Sequence, residues 1–131
     1  MGGIPVTGVN ELVLEALDLD ASERFYAGAL GFPVISRSGD RVWLMAGDRT
    51  RIGLWTPQVG IARGRGGVHV HYAMHIAESD FDAAVERLRG QGLDPEVVDF
   101  EETGSRAAYV TDPDGNVVEL WTWEGESATS G

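Results

Sequence analysis

The chain has 131 residues and a mass of 14.1 kDa, which is the size of one ordinary domain and sets an expected single domain over residues 1–131. Its formal net charge is −11, and all ten basic residues are arginine, so nucleic-acid and membrane partners are disfavoured and lysine Schiff-base chemistry is excluded. With no cysteine there is no disulfide, thiol nucleophile or thiolate ligand, and any metal must be held by His, Asp, Glu or water.

The alternating, Val/Leu-rich stretch from Val9 to Leu17 reads as a strand. Asp20-Ala-Ser-Glu23 has the acidic cap and following Glu that open a helix, which runs through Phe25, Tyr26 and Leu30 and stops at Gly31. Three strand-like stretches follow, near Pro33–Arg37, Arg41–Ala46 and Thr50–Thr56, the last two joined by a turn at Gly47-Asp48. Pro57 to Gly67, Gly-rich and containing Arg63 and Arg65, connects to a second run of the same order. Val68 to Ile76 is a strand, and Ser79-Asp-Phe-Asp82 signals a helix carrying Phe81, Val85 and Leu88 to Gly90 or Gly92. Strands follow near Glu96–Phe100, Arg106–Thr111 and Asn116–Trp123, with Asp112-Pro-Asp-Gly115 as a tight turn. The modules span about 8–57 and 68–123, and the tail, residues 124–131, reads as frayed. No apolar run approaches the ~20 residues of a membrane span, and MGGIPVTG lacks the features of a signal peptide, so a cytoplasmic location is expected.

Each module is therefore β-α-β-β-β, and the repeat is visible in the residues. Leu54-Trp55-Thr56 closes the first and Leu120-Trp121-Thr122 the second, while the first strands superimpose Glu11 on His71. Alternation assigns Leu12, Leu14 and Ala16, with Tyr72, Met74 and Ile76, to the helix-facing side. Glu11, Val13 and Glu15, with His69, His71, Ala73 and His75, face the other way, as do Val117, Glu119, Trp121 and Trp123. Glu11 corresponds to His71 and Gly53 to Glu119, so about a twofold axis these four positions would converge. Glu11, His71 and Glu119 then form a candidate metal site, with Gly53 leaving an opening. Two carboxylates and one imidazole suit Mn²⁺, Fe²⁺, Co²⁺, Ni²⁺ or Zn²⁺, and three ligands with vacant positions describe a catalytic rather than a structural site.

Several stretches carry a family resemblance. They are Glu23-Arg-Phe-Tyr26 with Leu30-Gly31-Phe32, His71-Tyr-Ala-Met with Asp80-Phe-Asp82 and Ala84–Leu88, and above all Asp112-Pro-Asp-Gly-Asn-Val-Val-Glu119-Leu. Over nearly all of residues 8–123 the chain resembles the glyoxalase / bleomycin-resistance / extradiol-dioxygenase proteins, the vicinal oxygen chelate superfamily. The resemblance implies an α+β fold, two βαβββ modules forming a cupped mixed sheet with helices on the outer face, and homodimerisation. It also implies a divalent metal on Glu11, His71 and Glu119 that chelates vicinal oxygens of a substrate and stabilises the anion formed in reaction. Glu11 stands where the family usually has His, which leaves the ring-cleavage triad of two His and one carboxylate incomplete. Gly53 stands where glyoxalase I and related epimerases carry a further ligand or base. Fosfomycin-resistance enzymes look similar around His71, but the acidic stretch Asp99-Phe-Glu-Glu-Thr-Gly-Ser105 is a poor phosphonate anchor.

The expected function is a metal-dependent enzyme acting on a small oxygen-rich metabolite. The alternative is a non-catalytic protein that sequesters an aromatic, even cationic, compound between indoles. Trp43, Gly53, Trp55, His69, His75 and Trp121 are the candidate pocket residues, although core packing explains each tryptophan singly. His69 and His75 share a face with His71 and offer a general acid/base or a substitute ligand, or simply pocket walls. Arg63 and Arg65 read either as a lid that grips an anion or as a solvated linker.

Overall fold

The computed structural model describes residues 3, 5, 7–56 and 70–125, and the chain divides into two compact units, Met1–Val68 and His69–Gly131. In the first, strand β1 (Glu11–Glu15) leads to helix α1 (Leu19–Glu23), which widens into a π-helical stretch, Arg24–Ala29. Strands β2 (Val34–Ser38), β3 (Arg41–Ala46) and β4 (Thr50–Trp55) follow. They form a mixed sheet in the order β1-β4-β3-β2, with β1 and β4 parallel and the other pairs antiparallel. The second unit repeats this plan. Strand β5 (His71–His75), helix α2 (Glu78–Gly90) and strands β6 (Glu96–Phe100), β7 (Ser105–Thr111) and β8 (Val117–Trp121) give a sheet in the order β5-β8-β7-β6. The expected α+β pair of βαβββ modules is therefore the observed one. No helix among the described residues is long and apolar enough to cross a membrane.

Alternation decides which side of each sheet is covered. Leu14, Val42, Leu44, Ile52 and Leu54 are buried on one side of the first sheet, with Phe25, Tyr26 and Ala29 from the helical segment. In the second unit Phe81 and Val85 of α2 pack on Ala108 of β7, with Ile76 beside them. Burying a side chain of this size contributes roughly 1.5–3 kcal/mol, so these apolar faces rather than helix propensity hold the short helices in place.

Both helix starts differ from the sequence expectation. Asp18, not Asp20, caps α1, its Oδ1 accepting from the Ala21 amide at 3.0 Å. Asp20 lies in the first turn, where a carboxylate favours the positive end of the helix dipole. At α2 Ala77 occupies the cap position without a side-chain bond, and the helix begins at Glu78, ahead of Ser79. A tertiary contact accounts for this: Arg106 of β7 donates to Glu78 at 2.6 Å and to Asp82 at 2.9 Å, with its guanidinium 4.3 Å above the Phe81 ring. The first helix also does not stay α-helical to Gly31. The Leu30 amide bonds the Phe25 carbonyl at 3.0 Å in a wide turn, and Gly31 at φ 76° reverses the chain.

Candidate functional site

Glu119 and His71 come together within the second unit. In the parallel register of β5 and β8, His71 lies opposite Val117 and Ala73 opposite Glu119. His71 and Glu119 are thus diagonal neighbours on the side of the sheet away from α2. His71 Nε2 is 2.8 Å from Glu119 Oε1. Glu119 is buried at 6% exposure, whereas the His71 side chain is 57% exposed, so the carboxylate is the fixed member and the imidazole faces outward.

The turn before β8 builds this juxtaposition. Asp112 Oδ1 accepts from the amides of Asp114 at 2.9 Å and Asn116 at 2.8 Å, and Asn116 Nδ2 donates to Asp112 Oδ2. The remaining amide oxygen of Asn116 accepts from the Val70 amide at 2.9 Å, extending the β5–β8 ladder by one rung beside His71. A side chain here does the work of a backbone carbonyl and fixes the register that sets His71 next to Glu119.

Across the antiparallel β7–β8 pair, Tyr109 lies directly opposite Glu119. Its ring packs edge-on to His71, with centroids 5.8 Å apart. Burial, then the negative charge of Glu119 and a hydrogen bond to it, hold the Tyr109 hydroxyl above the usual phenol range. At neutral pH Tyr109 is therefore a proton-bearing donor beside the buried carboxylate. Nearby, Trp121 donates from Nε1 to Ser105 Oγ at 3.1 Å, and its ring stacks on Trp123 at 4.7 Å. His75, expected as a pocket residue, pairs with Glu124 at 2.7 Å.

The first unit has the same register with different chemistry. Glu11 lies opposite Arg51 and Val13 opposite Gly53, matching His71–Val117 and Ala73–Glu119 rung for rung. The equivalence of Glu11 with His71 and of Gly53 with Glu119 is thus built into the strand pairing. Arg51 Nε donates to Glu11 Oε1 at 2.9 Å, and the Arg51 guanidinium stacks 3.8 Å above the Trp43 ring. Arg41 covers Trp55 in the same way at 4.0 Å, and the two indoles meet edge to face at 5.9 Å.

Gly53 does not leave the opening expected from the sequence. A Cβ at that position would lie 2.6 Å from Trp43 Cζ3 and 2.9 Å from Trp55 Nε1, so the indoles occupy the space that a ligand side chain would need.

Among the expected metal ligands, His71 and Glu119 share one unit, and Glu11 lies in the other, partnered by Arg51. Within the second unit no further His, Asp or Glu joins His71 and Glu119 to complete a set of three among the described residues. His69, Arg63 and Arg65 lie outside the described residues. Sequence reasoning missed Tyr109, Arg51, Arg41 and Asn116. Alternation along β7 carried a signal for Tyr109, since it puts Ala107, Tyr109 and Thr111 on one face. Nothing local signalled that Arg51 would lie against Glu11.

The sequence matches, over residues 8–120, the family described as the Glyoxalase/Bleomycin resistance protein/Dioxygenase superfamily. It is 29% identical over 114 residues to "Glutathione transferase FosA" of Serratia marcescens, covering 86% of this chain and 78% of that protein. The fold is similar to the lactoylglutathione lyase of Agrobacterium tumefaciens, with TM-score 0.78, 25% identity and 91% and 96% of the two chains covered. It is also similar to a glyoxalase / bleomycin resistance protein / dioxygenase from Nocardioides, with TM-score 0.73, 26% identity and 98% and 92% covered.

Proposed function

Because the chain belongs to the glyoxalase / bleomycin-resistance / dioxygenase superfamily, we propose that it is a metal-dependent enzyme acting on a small oxygen-rich metabolite. The observation that carries this reading is the 2.8 Å approach of an outward-facing imidazole to a buried carboxylate, His71 to Glu119. Such a pair supplies one nitrogen and one oxygen donor from rigid strands, a donor set that fits Mn²⁺, Fe²⁺, Co²⁺, Ni²⁺ or Zn²⁺.

Glu11 is the third ligand of the proposal. Arg51 engages only its Oε1, so Oε2 keeps its lone pairs. When bound, the ion would act as a Lewis acid for adjacent substrate oxygens. The chain's own groups have distinct tasks. Glu119 is held in place by burial and by Asn116-directed register, and Tyr109, directly across the strand pair from it, keeps its proton. The indoles Trp43, Trp55 and Trp121, with Gly53, His69 and His75, are proposed to wall the ligand surface.

The second reading, a non-catalytic binder of an aromatic compound, is favoured by one specific observation: both open faces carry paired indoles, Trp43 with Trp55 and Trp121 with Trp123. Calorimetric titration with Mn²⁺ and Zn²⁺ separates the two. The enzyme reading expects about one ion per chain, lost in His71→Ala and Glu119→Ala, weakened in Glu11→Gln, with turnover abolished by chelation. Tight ligand binding that ignores chelator, never turns over and falls by about 1–3 kcal/mol on removal of Trp55 or Trp121 would establish the binder instead.

A further inference from the structure

We propose that Arg51 is an anion-recognising residue of the first unit's open face, preset by Glu11 and Trp43 to take a planar carboxylate of the ligand. The proposal rests on the ligand surface assigned above and names its chemistry; it shares Glu11 with the proposed metal site through Oε1 alone, so the metal-free protein tests it separately.

A guanidinium offers five N–H donors in a rigid plane. In Arg51 only Nε is used, by Glu11 Oε1 at 2.9 Å, and among the described residues the two terminal amino groups make no hydrogen bond. One plane of the group lies on Trp43 at 3.8 Å, which restricts its rotation and leaves its outer edge toward solvent, the side chain being 44% exposed. An arginine oriented at Nε, supported on one face and unpaired at its fork has lost most of its rotamer freedom before any ligand arrives. Part of the ordering cost of a bidentate Arg–carboxylate contact is thereby met in advance.

The same face carries a second unused donor. Trp55 Nε1 is buried and has no hydrogen-bond partner among the described residues. A buried donor left without an acceptor is unfavourable. Its counterpart in the repeat, Trp121, bonds Ser105, so the missing partner is particular to the first unit.

Charge selects among ligands. A cationic ligand would find the indole seats taken, since Arg51 covers Trp43 and Arg41 covers Trp55 at van der Waals distance. A phosphate or phosphonate dianion would meet Glu11 and Glu15 on the same side of β1 in a chain of net charge −11. A single planar negative charge matches one fork flanked by carboxylates.

The test uses chelator-treated protein, titrated with benzoate, benzamide and phenylphosphonate. Binding is followed by arginine side-chain ¹⁵N NMR and tryptophan fluorescence. Benzoate should bind saturably, at least tenfold tighter than benzamide or phenylphosphonate, and shift the Arg51 terminal resonances. Arg51→Lys keeps the charge and loses the fork, so it should weaken benzoate at least tenfold, whereas Arg41→Lys should leave it within twofold. No saturable benzoate binding, equal affinity for benzamide, a preference for phenylphosphonate, or equal losses in the two lysine variants would each overturn the assignment. A protein that binds no metal yet passes these tests would refute the enzyme reading and leave this one intact.

Discussion

Gly53→Ala tests whether the first unit's open face is packed as described. The position lies in β4 and is not among the left-handed glycines, so alanine meets no backbone strain. On that ground alone the change should stabilise, by about 0.4–1 kcal/mol, through the unfolded chain. The new methyl, however, would lie 2.6 and 2.8 Å from Trp43 Cζ3 and Cη2 and 2.9 Å from Trp55 Nε1. No real Cβ tolerates such distances, and the neighbours are rigid rings, one of them under the Arg51 guanidinium. Overpacking of this kind costs about 1–3 kcal/mol. The midpoints, about 2 and about 0.7 kcal/mol, leave a net loss of about 1.3 kcal/mol, which for a chain of this length lowers Tm by about 5 °C. Thermal unfolding by circular dichroism measures it, and Trp43 emission should move as the ring is pushed outward. In a Trp43→Phe background the methyl has more room, so the cost should shrink by about half or more in the double-mutant cycle. A Gly53→Ala protein as stable as the parent, or an undiminished cost in the Trp43→Phe background, would refute the packing of the indoles over Gly53.

Tyr109 should ionise above its ordinary value of about 10, as seen by NMR of ring-labelled tyrosine. Because its folded-state value is raised, its contribution to stability is complete below the unfolded value and is lost as pH rises through the folded one. Glu119→Gln removes the second cause and should bring the titration partway down, burial remaining; an unchanged titration would break the Tyr109–Glu119 link. Strands β1, β2, β5 and β6 are edges of their own sheets, and open edges invite pairing with another chain. Light scattering at micromolar concentration should therefore give a dimer, and a clean monomer would count against a homodimeric assembly.

The order of elements was legible in the sequence because hydrophobic alternation and turn chemistry are local. The observed Arg41–Ala46 and Glu96–Phe100 match the expected strands, Val9–Leu17 is shortened to Glu11–Glu15, and His71–His75 lies within the expected Val68–Ile76. Alternation alone also put Glu11, His71 and Glu119 on faces turned from the helices, and the repeat alone paired Glu11 with His71 and Gly53 with Glu119, as the strand registers do. The helix caps were misread for a physical reason: Asp20 and Ser79 are good capping residues in isolation, but a carboxylate two residues earlier and an arginine on a distant strand claimed those ends.

Cross-strand neighbours were not legible at all. A period of two says which side a residue faces and nothing about what lies beside it, because register depends on contacts between residues far apart in the chain. Thus the sequence by itself determined two βαβββ modules, their faces and the candidate ligands. Only tertiary structure decided that Tyr109 lies opposite Glu119, that Asn116 ties Val70 into the ladder beside His71, that Arg51 rather than empty space meets Glu11, and that two indoles fill the place over Gly53.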